Sequence, residues 1–261
     1  MLPLTQEQKI HYSLRIAIGM CFIGHGIFGV ITKPIWCNYF EVFGIGHDLA
    51  YRLMPVVGGI DIILGITMLI YPLRSIAVWL IIWGLVTASL RPLSGEPFAE
   101  LIERAGNFGA PLAFLILYGR EFKIKNLFSK IRSGEYISEI NFNQVAVLLR
   151  WVVFLLLLGH GWLNLIEKKG LIDQYAGLGL SNAALSAHFI GIFEIASALI
   201  ILIRPNPQFL LFILFWKMAS ELFYPHYELF EFIERGGSYG ALIALYSIQK
   251  TTQAYKVLLV N

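Results

Sequence analysis

Apolar runs of near span length recur along this chain, separated only by short polar breaks, and few folds can accommodate them. About 20 apolar residues in a helix cross the hydrocarbon of a bilayer with every backbone polar group satisfied internally. Eight helices are expected, at 11–31, 52–71, 75–91, 105–119, 145–166, 184–203, 208–224 and 236–249. Pro72 separates the second from the third, and Pro205 the sixth from the seventh. The fourth and eighth are short and each begins within a polar motif. The segments 36–48 and 171–181 read as interfacial pieces, and 121–144, the longest polar stretch, as a linker.

Composition points the same way. Hydrophobic residues make up 57% of the 261 and charged residues 14%, where a soluble domain carries about 25%. Mean hydropathy is +0.68. Twenty Lys and Arg with 17 Asp and Glu cannot cover a water-exposed globule of this length. A soluble enzyme, a disordered tail and a nucleic-acid binder are excluded, and the expected fold is an all-α polytopic membrane protein. The first apolar run is too long for a signal-peptide core and carries Arg15 and His25, so no cleavable signal is expected. The two cysteines, Cys21 and Cys37, form no C-x-x-C pair, which argues against a thiol relay.

Orientation follows from the cations. With eight spans both termini share a side, and that side holds 12 of the 20 Lys and Arg, five of them between Arg120 and Arg132, at the start of the linker and just before it. Both termini and the linker are therefore expected in the cytoplasm. The opposite side is acidic, with Glu96, Glu100, Glu103, Glu231 and Glu234 among its residues.

The chain also repeats itself. Gly24-His25-Gly26 matches Gly159-His160-Gly161, and Lys33 matches Lys168, at an offset of 135. Gly58-Gly59-Ile60-Asp61-Ile62 matches Gly191-Ile192-Phe193-Glu194-Ile195 at 133, as do Pro72 with Pro205, Trp83 with Trp216 and Pro92 with Pro225. Ile102-Glu103-Arg104-Ala105-Gly106-Asn107 matches Ile233-Glu234-Arg235-Gly236-Gly237-Ser238 at 131. Three blocks in one order imply two four-helix repeats, 1–120 and 145–261. An even span count makes the repeats parallel, related by a pseudo-two-fold axis along the membrane normal.

The repeated residues are polar ones at membrane depth, where ionisable groups are costly unless paired or hydrated. Asp61 and Glu194 lie mid-helix, and the exchange of one acid for the other preserves a carboxylate rather than a shape. Either they are proton-active groups or metal ligands, or they are protonated acids bonding helices together. Their partners by depth are His25 and Arg91 in the first half, and His160 and Lys217 in the second. The glycines beside each His let another helix approach closely; the His is then a ligand or proton donor, or a packed cross-helix bond. Glu103 and Arg104 are adjacent and diverge by about 100° on a helix, so one is expected to pair with the other half. Asn107 and Ser238 stand where helix caps belong. With Arg91, Glu234 and Arg235 these residues form a structural joint or a substrate contact. Lys217 and Glu221, spaced i, i+4, share a face and have no charged match in the first half, where Gly84 and Ala88 stand. The second half also adds His188 and His226. If His25, Asp61, His160 and Glu194 converge, imidazole and carboxylate suit Fe, Mn, Cu or Zn; no metal-specific spacing is present.

A His flanked by small residues late in helix 1, Gly-x-x-Asp/Glu in helix 2 and a Glu-rich outer loop before helix 4 resemble the DoxX/DoxD-like superfamily of membrane proteins. The resemblance covers 11–119 and 145–249 separately, so the chain resembles a fused double copy. It implies a fold and a link to thiosulfate:quinone oxidoreductase subunits and membrane redox complexes; many members have no assigned activity. The expected function is a redox-type bacterial inner-membrane protein, a membrane oxidoreductase if it is an enzyme. It would act on a quinone or other small lipophilic substrate, with His25, Asp61, His160, Glu194, Lys217 and Glu221 as candidate catalytic groups. Arg91, Glu103, Arg104, Asn107, Glu234 and Arg235 are the candidate substrate contacts. Its partners would be the bilayer, that substrate and a membrane redox partner, and a quinone or a metal ion the cofactor. The alternatives are a small-solute transporter or channel, and a structural subunit of a membrane complex.

Overall fold

The computed structural model describes residues 3–118, 124–134, 137–224 and 228–260, with the side chains of 124–125, 228 and 252–260 left aside. Arg120, Lys123, Pro225 and His226 lie outside the described residues, as do the side chains of Lys125 and Lys256.

The described residues form helices, with one isolated β-bridge between Leu73 and Lys130. In chain order they are α1 (Gln6–Val30), α2 (Trp36–Glu41), α3 (His47–Ile70), α4 (Arg74–Leu93), α5 (Ala99–Glu103), α6 (Ala105–Leu117) and α7 (Ile124–Leu127). There follow α8 (Glu139–Leu165), α9 (Lys169–Gly177), α10 (Ala183–Ile203), α11 (Pro207–Leu222), α12 (Glu228–Glu234) and α13 (Gly236–Val260).

Five of these, α1, α3, α4, α8 and α10, are long and apolar enough to cross a membrane. Three expected spans fall short of that standard. α6 has 13 residues and α11 has 16, about 20 and 24 Å at 1.5 Å per residue. α13 is long but turns polar at Gln249. α3 exposes Val56, Ile60, Ile63, Ile66 and Ile70. That three-to-four-residue spacing makes an apolar stripe, which water would not tolerate and lipid would. α10 and α11 expose Phe189, Ile192, Ile203, Phe212 and Phe215 in the same way.

Boundaries follow local chemistry. Thr5 caps α1 in a reciprocal capping box with Gln8, so the helix starts five residues before the apolar run. Ser138 accepts from Asn141 N and starts α8 at Glu139, which takes the last residues of the expected linker. Asn206 and Pro207 start α11. The expected caps at Asn107 and Ser238 are not formed. Both lie third in their helices, after a break at Arg104 (φ −87°, ψ 17°) in the first case. The break is the bend that lets Glu103 and Arg104 meet.

α1 packs along α3 and also along α13, while α8 packs along α10 and also along α6. The first long helix of each half thus lies against the last helix of the other. Ile10, Leu14, Ile18, Phe114, Leu149, Leu156 and Leu245 fill the space between them. The linker is pinned at one end of the bundle. Ile131 N donates to Pro72 O (2.8 Å) and Gly134 N to Glu7 Oε2 (2.9 Å). The start of α1, the α3–α4 turn and the linker therefore share one end.

Candidate functional site: two histidine–carboxylate pairs

Late in α1, Gly24 faces the backbone of Glu234, which a Cβ would strike; late in α8, Gly159 meets the backbone of Glu103 in the same way. The close approach expected from the glycines is made, by Gly24 and Gly159 to the other half of the chain and by Gly26 and Gly161 to the backbone of Gly58 and Gly191 in their own. It holds His25 and His160 at the junction of the halves.

Each His meets the acid of its own half. His25 Nδ1 lies 2.7 Å from Asp61 Oδ2, and His160 Nδ1 lies 2.5 Å from Glu194 Oε2. Asp61 and Glu194 are fully buried. In each pair Nδ1 carries the proton toward the carboxylate, which leaves Nε2 as the unengaged ring nitrogen. The four residues do not assemble into one metal set. Among the described residues, the carboxylates and imidazole whose ligand atoms come within 4.8 Å of one another are Glu103, His160 and Glu221. Those carboxylates already have cations. Glu221 lies 3.0 Å from Lys217 and 3.5 Å from Arg235; Glu103 lies 3.0 Å from Arg104 and 3.4 Å from Arg235.

The Glu103–Arg235 pair fulfils the expectation that one member of the Glu-Arg dipeptide reaches the other half. Two further ion pairs cross in the same reciprocal sense. Lys33 meets Glu231 at 2.6 Å, and Lys168 meets Glu100 at 2.5 Å. Thr32 and Glu167, at φ 55° and 54°, turn the chain back to aim these lysines; the left-handed conformation is uncommon for residues other than glycine. Arg91 does not serve Asp61 but lies near Glu96 and Glu100, at 3.4 and 3.7 Å. Lys217 is paired with Glu221 rather than with Glu194. His188 is half exposed beside Glu167 at 3.3 Å, away from this cluster.

Outside the spans, burial opposes ionisation of Glu100, but Arg104 and Lys168 outweigh it and hold the carboxyl at about 2. Burial likewise opposes ionisation of Glu234, and Arg235 and Arg104 hold it at about 2. Glu103, also penalised by burial, is kept well below its ordinary value by Arg235 and Arg104. All three are anions at neutral pH. Among the described residues the cluster joins eight carboxylates (Asp61, Glu96, Glu100, Glu103, Glu194, Glu221, Glu231 and Glu234) to six cations (Lys33, Arg91, Arg104, Lys168, Lys217 and Arg235).

The halves differ in how the pair is enclosed. In the second, Trp216 Nε1 donates to Glu194 Oε1 at 2.9 Å. Asn164 Nδ2 reaches His160 O at 3.1 Å and Tyr175 donates to Asn164 Oδ1 at 2.5 Å. In the first, Trp83 Nε1 and Asp61 Oδ1 are both buried without a hydrogen-bond partner among the described residues. Asp is one methylene shorter than Glu, so the matching bond does not close. Beside His25 lies an open cavity with about 80 Å³ of space for water-sized guests. Trp36 stacks near the imidazole, with ring centroids 4.7 Å apart, and Tyr39 and Phe40 continue the aromatic wall.

Sequence reasoning chose His25, Asp61, His160, Glu194, Lys217 and Glu221, and all lie in or beside these pairs. Arg91, Arg104, Asn107 and Glu234 line the cavity. Glu103 and Arg235 belong to the ion-pair network behind it. Trp83 with Trp216, and Lys33 with Lys168, are matched positions of the sequence, without a site role assigned from the letters. Trp36, Asn164 and Tyr175 carry no signal in the sequence beyond being polar or aromatic. No family model, curated protein or solved structure matches the chain.

Proposed function

We propose that the chain is a redox-type membrane protein of the DoxX-like class, a fused double copy that handles a quinone or other small lipophilic molecule and its protons. The observation that carries this reading is the His25–Asp61 pair on the wall of an aromatic cavity at the junction of the halves. A carboxylate that fixes the Nδ1 tautomer leaves Nε2 free for general acid–base work. In this reading α6, α11 and the apolar first part of α13 act as spans beside the five others, giving two parallel four-helix repeats of eight spans. The reciprocal contacts of α1 with α13 and of α8 with α6 support that symmetry. The concentration of Lys and Arg at the end bearing the linker supports cytoplasmic termini in a bacterial inner membrane. The cavity residues suit a quinone ring by stacking and hydrogen bonding; a quinone would supply the redox chemistry.

The test is extraction of the purified protein with organic solvent and mass spectrometry of what is released, followed by labelling with a photoreactive short-chain quinone. Labelled peptides from 36–43 and 83–91 are expected. If no lipophilic molecule is released or crosslinked, and proteoliposomes instead accumulate a solute, the transporter reading replaces this one.

A further inference from the structure

Three differences between the halves act in one direction. Gly29, Gly84 and Ala88 stand at the positions where the second half carries Asn164, Lys217 and Glu221. In the second half Asn164 bonds to His160 and Tyr175, and Lys217 pairs with Glu221. His160 is buried, with Glu103 and Glu221 oxygens within 4.8 Å of its ring nitrogen. In the first half the small residues leave the cavity, and a Cβ on Gly84 would press on the backbone of Asn107, so the residue there stays small.

The cavity wall presents polar atoms with nothing to bond. Trp83 Nε1 and Arg104 Nε are buried donors without a partner among the described residues, and Arg104 is 5% exposed. A buried donor without an acceptor costs about 1–3 kcal/mol. His25, with Nδ1 committed to Asp61, offers Nε2 as an acceptor. Two donors and one acceptor around an aromatic-walled space ask for a group that both accepts and donates. A hydroxyl does so; a carbonyl or an ether only accepts.

Resting on the reading of this cavity as a lipophilic site, we infer that it takes one molecule per chain of an aromatic ring bearing a free hydroxyl: a phenol, or the hydroquinone form of a quinone. The hydroxyl donates to His25 Nε2 and its oxygen accepts from Trp83 and Arg104. In the proton-transfer step the O–H bond breaks and an N–H bond forms at Nε2. The imidazolium is held by Asp61, and the aryl oxide faces the Arg104 guanidinium. No electron moves in this step. The second half, closed around the same pair, takes none.

The experiment compares 4-butylphenol with its methyl ether, 4-butylanisole, which has the same ring and chain but no donor. The full chain is held in nanodiscs, and binding is read by tryptophan fluorescence and stoichiometry, with empty nanodiscs as the partition blank. One phenol per chain is expected, bound at least tenfold more tightly than the ether. In His25→Phe combined with Asp61→Asn, which removes the base without leaving a lone buried carboxylate, the two ligands should bind within about twofold of each other. Thr87→Trp, which fills the cavity, should abolish binding of both. Equal affinities for phenol and ether in the unaltered protein overturn the hydroxyl inference and leave the lipophilic site standing. Absence of binding by either ligand overturns both. Two phenols per chain overturn the closure of the second half. The comparison in the unaltered protein depends on no variant folding.

Discussion

Glu194 and Asp61 hold the same kind of partner with unequal support. Glu194 accepts from Trp216 as well as meeting His160, whereas among the described residues Asp61 bonds only to His25. Removing one member of a buried, bonded charge pair costs about 3–5 kcal/mol. Glu194→Leu strands both His160 and Trp216 and should reach that range. Asp61→Leu strands His25, which is 13% exposed and borders the cavity, and should cost about half as much. Thermal unfolding in detergent checks the order; a Tm loss for Asp61→Leu equal to or larger than that for Glu194→Leu would contradict it. At this scale the sequence was legible where identity repeated. A carboxylate preserved across an Asp/Glu exchange announced the pairs, while the missing methylene that leaves Trp83 unbonded was present in the letters but acquires meaning only from distances.

The short outer helices α5 and α12 concentrate anions whose ionisation is favoured by folding. Glu100 and Glu234 fall from an ordinary 4.5 to about 2. A carboxyl lowered in this way contributes stability that is whole above the unfolded value and is lost as pH falls toward the folded one. The Tm should therefore be flat from pH 7 to pH 5 and drop by on the order of 5 °C between pH 5 and pH 3. In Glu100→Gln the neutral-pH Tm should fall and the acid drop shrink. A Tm that rises on acidification would refute the assignment of these acids as anions. Helix existence was legible from apolar period and length. Helix ends were less so, because Thr5 and Ser138 extend α1 and α8 into polar sequence by capping. The break at Arg104 was anticipated only as a geometric need, since a bend sustained by ion pairs from another element has no local signature.

For the whole molecule, the end carrying the linker gathers the start of α1 and the α3–α4 turn as well. A cytoplasm-active reporter inserted near Lys130 should be active, and a periplasm-active one silent; the reverse would invert the proposed orientation and every depth drawn from it. The proposed duplication rests on identical polar residues that recur in order along the sequence. What no string of letters displays is that the halves exchange contacts, Lys33 with Glu231 and Lys168 with Glu100.

That exchange bears on ancestry and on assembly. A solitary four-helix unit would carry on one surface both the lysine that reaches out and the glutamate that receives it. Such a surface is self-complementary, the condition for an isologous two-fold dimer. If the chain is the fused double copy proposed above, fusion would add a tether and free each copy to drift, one toward an open pocket and the other toward a brace. Separate expression of 1–134 and 135–261 should give fragments that are degraded singly and rescue each other when coexpressed. Stable accumulation of either fragment alone would mean that the halves are neighbours rather than mutual templates.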